Sequence, residues 1–151
     1  MRRTDREIID TQIIHEILER SMIMSLAFKG EEYPYCVLLN FIEQDGDLYF
    51  HCAREGYKLD CMKRDPHVHF TAFDEAEVDA EKATIYYRSV SGTGIAEIVE
   101  DDDLKIKVLE ALMRKYCSKE TIPPFKKPEK TLVVKVSVTS LTGKQHAKAG
   151  A

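Results

Sequence analysis

The chain has 151 residues, 44% hydrophobic and 32% charged, the mix of one soluble globular domain with a core of reasonable size. Its net charge of −4 speaks against non-specific nucleic-acid binding, since no large positive field would draw in phosphates. No apolar run approaches the roughly 20 residues a membrane helix needs. No signal-peptide core follows the basic start Met1-Arg2-Arg3-Thr4-Asp5-Arg6, so a cytoplasmic protein is expected.

Asp10 and Thr11 can cap a helix in which Ile13, Ile14, Ile17 and Leu18 recur at helical spacing, ending near Ser21. His15 falls on its polar side. Met22 to Phe28 is short and apolar, as a strand would be. Lys29-Gly30-Glu31-Glu32 turns it into a second strand, Tyr33 to Ile42, with Pro34 near the start where a strand tolerates proline. Gln44-Asp45-Gly46-Asp47 carries the Asp-Gly hairpin signal, and Leu48 to Cys52 returns. An antiparallel meander of three consecutive strands is the expectation.

The returning strand breaks at Glu55-Gly56 and restarts as a short helix, Tyr57 to Arg64, stopped by Pro66. His51, the small Ala53 and the cation Lys58 sit at this join. A strand end feeding a helix N-terminus exposes backbone N–H groups that suit an anion, and a lysine early in the helix adds full charge. The stretch reads as a phosphate seat with an imidazole beside it. His51 as an ordinary half-buried strand residue and Lys58 as a solvated helix charge are equally compatible with the residues alone.

Val68 to Phe73 reads as a strand, with His67 and His69 sharing one face. Two histidines so spaced can bind a metal, but no acidic or thiol partner is fixed nearby in sequence, so exposed or core-edge histidines are the plainer reading and no metal is expected. Asp74 to Lys82 is acidic and aperiodic, a loop. Thr84 to Val99 is long for a strand, and Gly92 and Gly94 mark a bulge or bend of the kind a small barrel needs at a corner. Glu100 to Asp103 place carboxylates at the start of a helix whose apolar stripe is Leu104, Val108, Leu109, Leu112, Met113 and Tyr116. Ser118 to Lys130, with Pro123-Pro124, is a connection. Leu132 to Thr139 is a last strand, and the tail from Leu141 to Gln145 leads into small residues expected to fray. The four cysteines, Cys36, Cys52, Cys61 and Cys117, lack metal-finger spacing and read as free thiols, with Cys61 packed beside Leu59 and Met62.

Six or so hairpin-linked strands plus two main helices imply one mainly-β domain over residues 1–151, a small antiparallel barrel with flanking helices. Polar residues interrupt its apolar strands at Asn40, His51, Arg88 and Ser89, which points to a site there.

Several of these segments together resemble the FMN-binding split-barrel proteins related to pyridoxamine 5′-phosphate oxidase, and within them the nitroimidazole-resistance (Nim-like) branch. They are Pro34 to Phe41, Leu48 to Ala53 with Gly56 and Lys58, Tyr87-Arg88-Ser89-Val90 followed by Gly92 and Gly94, and Leu141-Thr142-Gly143-Lys144, in the family's order over nearly the whole chain. The resemblance implies a split β-barrel, a homodimer, and FMN in clefts between subunits. It places the strand Val37, Leu38, Leu39 and Asn40 along the isoalloxazine. It puts the phosphate on the turn through Cys52 and Ala53, on Lys58, and on Arg88 and Ser89, with Val90 beside them. His51 lies near the flavin in similar proteins, in a catalytic or substrate-binding role. The chain departs from the family at Leu38, where proline is frequent, and at Cys52, where serine is; a thiol is the poorer partner for phosphate.

The function this resemblance implies is an FMN-dependent oxidoreductase that takes hydride from NAD(P)H and reduces a small molecule, a nitroaromatic being one type. The glycine pair at 92 and 94 is embedded in a strand and lacks a dinucleotide-fold context, so a nicotinamide would bind only transiently over the flavin. A non-catalytic flavin- or haem-binding protein for sensing, storage or haem handling is the alternative, and His51, His67 and His69 keep the haem version open.

Overall fold

The computed structural model describes residues 3–117 and 131–148. The expected connection from Ser118 to Lys130 lies outside them. A 3₁₀ turn, Thr4–Arg6, leads into the short strand β1 (Glu7–Ile8), followed by helix α1 (Thr11–Arg20). The Asp10 carboxylate caps α1 by accepting the Gln12 N–H at 2.8 Å, and Ile14, Ile17 and Leu18 form its buried face. Then come β2 (Met24–Phe28), β3 (Tyr35–Leu39), β4 (Ile42–Gln44), β5 (Asp47–Ala53), α2 (Tyr57–Arg64), β6 (His67–Asp79), β7 (Thr84–Ile98), α3 (Asp102–Tyr116) and β8 (Thr131–His146). The Asp101 side chain caps α3 on the Leu104 N–H, as the acidic run before it predicts.

The strands form one antiparallel sheet in the order β3-β2-β6-β7-β8-β5-β4, with β1 on β8. This mainly antiparallel sheet with three helices is the expected split-barrel architecture. Its inner face, with α1 and α2, encloses a core of fully buried side chains that includes Phe41, Phe50, Phe70, Ile17, Leu18, Met24 and Leu26. Burying side chains of this size contributes roughly 1.5–3 kcal/mol each. On the other face of β5 and β8, Tyr49 and Val133 pack with Ile42 under Val108, Leu109 and Leu112 of α3.

Three expectations change. The strand drawn from Tyr33 to Ile42 breaks at Asn40-Phe41, and its halves, β3 and β4, lie at opposite ends of the strand order. The meander is therefore two hairpins, β2–β3 and β4–β5, linked by a crossing. Phe41 is fully buried at that crossing, so its apolar side chain, which reads as strand continuation, instead anchors the switch between edges. The acidic segment after Phe73 is strand as far as Asp79, paired with β7 down to Thr84. A bulge between Phe73 and Glu75 shifts the alternation and hides it from a periodicity reading, while Arg88, Arg20, Lys82 and Lys148 pair with its carboxylates. The last strand, expected to end at Thr139, continues through Leu141 to Gln145 and ends at His146; the small residues from 149 on lie outside the described residues. Gly143 holds the strand in, because a Cβ there would come within 2.7 Å of the Ile8 Cβ and 3.0 Å of Ile14. The anticipated bend in β7 is present as a register shift against β8 at Thr93/Gly94.

Candidate functional site

β5 ends at Ala53, one residue beyond the expected Cys52, and α2 begins at Tyr57, as the sequence predicts. Gly56 joins them at φ 139°, a conformation that strains any side chain. No side chain caps α2. A helix start leaves its first N–H groups without intrahelical acceptors, so this junction presents donors. Lys58 sits in that first turn, half-buried, its ammonium 6.0 Å from the centre of the Phe50 ring. Its charge is felt at both residues of the strand end. Burial pushes the His51 imidazole below its ordinary value of 6.5, and Lys58 lowers it further. Burial pushes the Cys52 thiol up, and Lys58 partly offsets that. Alternation along β5 separates the two side chains: Cys52 belongs to the inner core, whereas His51 lies on the face of Tyr49 and Val133. A protonation-poor imidazole and an inward thiol thus flank one cation.

The structure also sets the start of α2 against the start of β3, which sequence reasoning misses. The Tyr57 ring meets Tyr35 edge-on at 5.0 Å, and the Tyr57 hydroxyl accepts the Glu31 N–H at 3.1 Å. A cleft of about 330 Å³ opens here between Glu31 to Tyr35 and Tyr57. Nothing local in sequence ties residue 35 to residue 57; the contact follows from how α2 folds back over β2. β3 is an end strand of the sheet and pairs only with β2. Its outer edge therefore offers N–H and C=O groups to a ligand lying alongside. Val37 and Leu39 are half-buried against the core, Leu38 points out at 72% exposure, and Asn40 is half-buried at the crossing.

Arg88, Ser89 and Val90 lie elsewhere. His51 pairs with Val133 near the start of β8, and Arg88 with Gln145 near its end. The Arg88 guanidinium grips Asp74, with Nε 3.3 Å from the second carboxylate oxygen, and reaches Glu75 at 3.4 Å and Glu16 at 3.8 Å. The Asp74 hydrogen bond, more than any other contact, raises its pKa further. Arg20 of α1 lies 3.7 Å from Asp74 and 3.4 Å from Glu75. Three carboxylates around Arg88 make a poor seat for a phosphate dianion. The Ser89 hydroxyl donates to the Lys144 carbonyl at 3.4 Å, and Val90 is fully buried. The larger cleft beside Arg88, about 640 Å³, also carries Asp74, Glu75 and Glu77. Within the single chain, the Lys58 junction and the Arg88 cluster are therefore separate, and Arg88 is already engaged by carboxylates while Lys58 forms no ion pair among the described residues.

His67 and His69 are exposed on the outer face of β6. Contrary to the sequence reading, His67 has an acidic partner: its Nδ1 lies 2.7 Å from Asp65, whose carboxyl this contact holds down at about 2. Among the described residues no three His, Cys, Asp or Glu side chains gather as a metal would require. None of the helices among those residues is long and apolar enough to cross a membrane.

The family model for pyridoxamine 5′-phosphate oxidase matches residues 10–145. A crystal structure of a putative 5-nitroimidazole antibiotic resistance protein from Bacteroides thetaiotaomicron is similar at 27% identity and TM-score 0.78, over 92% of this chain and 86% of that one. The flavocytochrome Anf3 from Azotobacter vinelandii is similar in fold at 18% identity and TM-score 0.81, over 98% of this chain and 72% of that one. An FAD and heme binding protein from Mycobacterium smegmatis shares the fold at 15% identity and TM-score 0.80, over 95% and 74%. No curated protein matches the chain.

Proposed function

The chain belongs to the pyridoxamine 5′-phosphate oxidase family, and from that premise we propose that it is a cytoplasmic FMN-dependent oxidoreductase, working as a homodimer, that uses NAD(P)H to reduce a small acceptor of the nitroaromatic type. The observation that carries this reading is Lys58 in the uncapped first turn of α2, its charge reaching His51 and Cys52 at the strand end. When bound, FMN supplies a ring that accepts and gives up a hydride. Lys58 would neutralise its phosphate, and backbone N–H groups between Ala53 and Lys58, ahead of the Leu59 and Asp60 N–H groups that bond the Gly56 carbonyl, would donate to the phosphate oxygens. The open edge of β3 offers Val37 to Leu39 as backbone partners for the ring, with the Asn40 amide at the end of that edge. His51, kept mainly neutral by burial, supplies a proton acceptor on the acceptor side of the site. The resistance protein at 27% identity supports the choice of a nitroaromatic acceptor. We assign Arg88 to holding α1 against the sheet and leave the phosphate's charge to Lys58.

The test is a comparison of FMN with riboflavin. FMN should bind more tightly, and Lys58→Ala should weaken FMN by about 10–100-fold while leaving riboflavin nearly unchanged. Equal affinities for the two in the unaltered protein would remove the phosphate seat. The haem alternative draws support from one feature, the neutral state favoured for His51, which is the form that ligates iron. A Soret band on adding haem, with no flavin uptake, would replace the flavin reading with it.

A further inference from the structure

The crossing between β3 and β4 is held by one side chain from the far end of the chain's last described helix. The Phe41 N–H donates to the Tyr116 hydroxyl oxygen at 2.9 Å. That hydroxyl lies 2.8 Å from the Phe41 carbonyl and 2.8 Å from the Met22 carbonyl, so its single proton has two acceptors at hand. Burial raises the Tyr116 pKa, and the Phe41 bond partly offsets that. The ladder between β2 and β3 ends at Met24 and Leu39, so Tyr116 sits where β3 leaves its partner. The neighbouring Lys115 extends over the Phe41 ring, 4.3 Å from its centre, and donates to the Leu18 carbonyl at 3.3 Å. Ring, N–H and C=O of Phe41 are thus all engaged by the last turn of α3.

The Phe41 N–H belongs to the same rigid peptide plane as the Asn40 carbonyl. Holding that plane restrains the ψ torsion of Asn40, and with it the direction of the Asn40 Cα–Cβ bond. We propose that Tyr116 is a positioning residue, which orients the Asn40 amide toward the flavin from the opposite side of the crossing. The proposal rests on the flavin reading, since it concerns how Asn40 meets that ring. Lys115 has a different part: it ties α3 to α1 and to the Phe41 ring without touching the peptide plane.

The experiment compares Tyr116→Phe, Asn40→Ala, their double variant and Lys115→Met. Two readouts are used: FMN affinity, and hydrogen exchange of the Phe41 amide without flavin. Tyr116→Phe removes one oxygen and keeps the ring that packs, so the fold should persist by circular dichroism. It should speed exchange at Phe41 by at least tenfold and weaken FMN about tenfold. The double variant should bind FMN no more weakly than Asn40→Ala alone, because Tyr116 acts through Asn40. Lys115→Met should keep Phe41 protected and FMN affinity within about twofold. Additive losses in the double variant, an unchanged FMN affinity in Tyr116→Phe, or equal effects of Tyr116→Phe and Lys115→Met would each overturn the proposal. Should the unaltered protein bind no FMN, the flavin reading falls and takes the role of Asn40 with it. Exchange at Phe41 would still show whether the hydroxyl holds the crossing, which keeps the two failures distinct.

Discussion

At the scale of single residues, His51 is the group whose surroundings decide most. Burial disfavours its charged form, and Lys58 adds to that. Its folded pKa therefore lies below the unfolded value near 6.5. As pH falls through that value the unfolded chain binds the proton first, so the stability that neutral burial preserves above 6.5 is progressively lost below it. His51→Gln should flatten this acid limb in a denaturant titration run from pH 7.5 to 5. The same neutrality suits a proton acceptor near neutral pH, and His51→Ala should leave FMN bound yet cut turnover about 10²–10⁴-fold. Lost FMN, with the rate restored by added cofactor, would instead make His51 a cofactor contact. Full flavin and an unchanged rate for every acceptor would leave it without either role. Cys52 shows how strongly a one-residue step matters on a strand: its side chain is committed to the core, so the thiol's weakness toward phosphate has little consequence.

At the scale of elements, the most informative contact is the knot of Arg88, Arg20, Asp74, Glu75 and Glu16, which joins β7, the bulge in β6, and α1. The Asp74 side chain is 0% exposed there, so removing a cation leaves a buried carboxylate short of partners. Arg88→Ala should lower the melting temperature by several degrees, a loss of about 3 kcal/mol or more, with FMN affinity changed less than threefold. A large loss of FMN affinity at unchanged stability would return Arg88 to the phosphate. The strand-to-helix junction is legible in the sequence because its signals are local: β-rich Leu48 to Phe50, Gly56, then Pro66. Asp74 to Asp79 are not legible as strand because a bulge reverses the alternation on which a strand is recognised, whereas the turn that follows at Ala80 to Lys82 is legible. The break at Asn40-Phe41 is not legible, since Phe41 is as apolar as its neighbours and its real partner, Tyr116, lies 75 residues away. The partners of Arg88 are invisible in the sequence for the same reason: the carboxylates that engage it come from two other elements.

At the scale of the whole molecule, the outer face of the β3-β2-β6-β7 half of the sheet carries exposed apolar side chains, whereas α3 covers that face at β5 and β8. Leu38, Phe73, Val78 and Ile85 are exposed there at 72%, 59%, 71% and 51%, and the register across β3, β2, β6 and β7 puts them on one side. Between them lie small hydroxyl residues, Ser25, Thr71 and Ser91, with Thr71 and Ser91 bonded to each other at 3.0 Å. Such a face, with exposed apolar side chains around small hydroxyl residues, suits a second copy of the chain. Sedimentation equilibrium should find a dimer, and Phe73→Lys with Leu38→Lys should shift it toward monomer while weakening FMN. A monomer that binds FMN fully would end the case for a shared site.

The pairing of β1 with β8 bears on how the chain reaches this state. Glu7 faces Lys144 and Ile8 faces Gly143, and Ile8 packs where a glycine alone leaves room. Closing that pair encircles almost the entire polypeptide, and β5 must also wait for β8 before it gains its inner neighbour. Such distant pairings pay their loop entropy before any contact rewards it, which places the barrel among slow folders, in milliseconds to seconds. The hairpin β6–β7, with twelve paired positions joined by a short turn, is the segment able to form early and serve as the template on which the later strands settle.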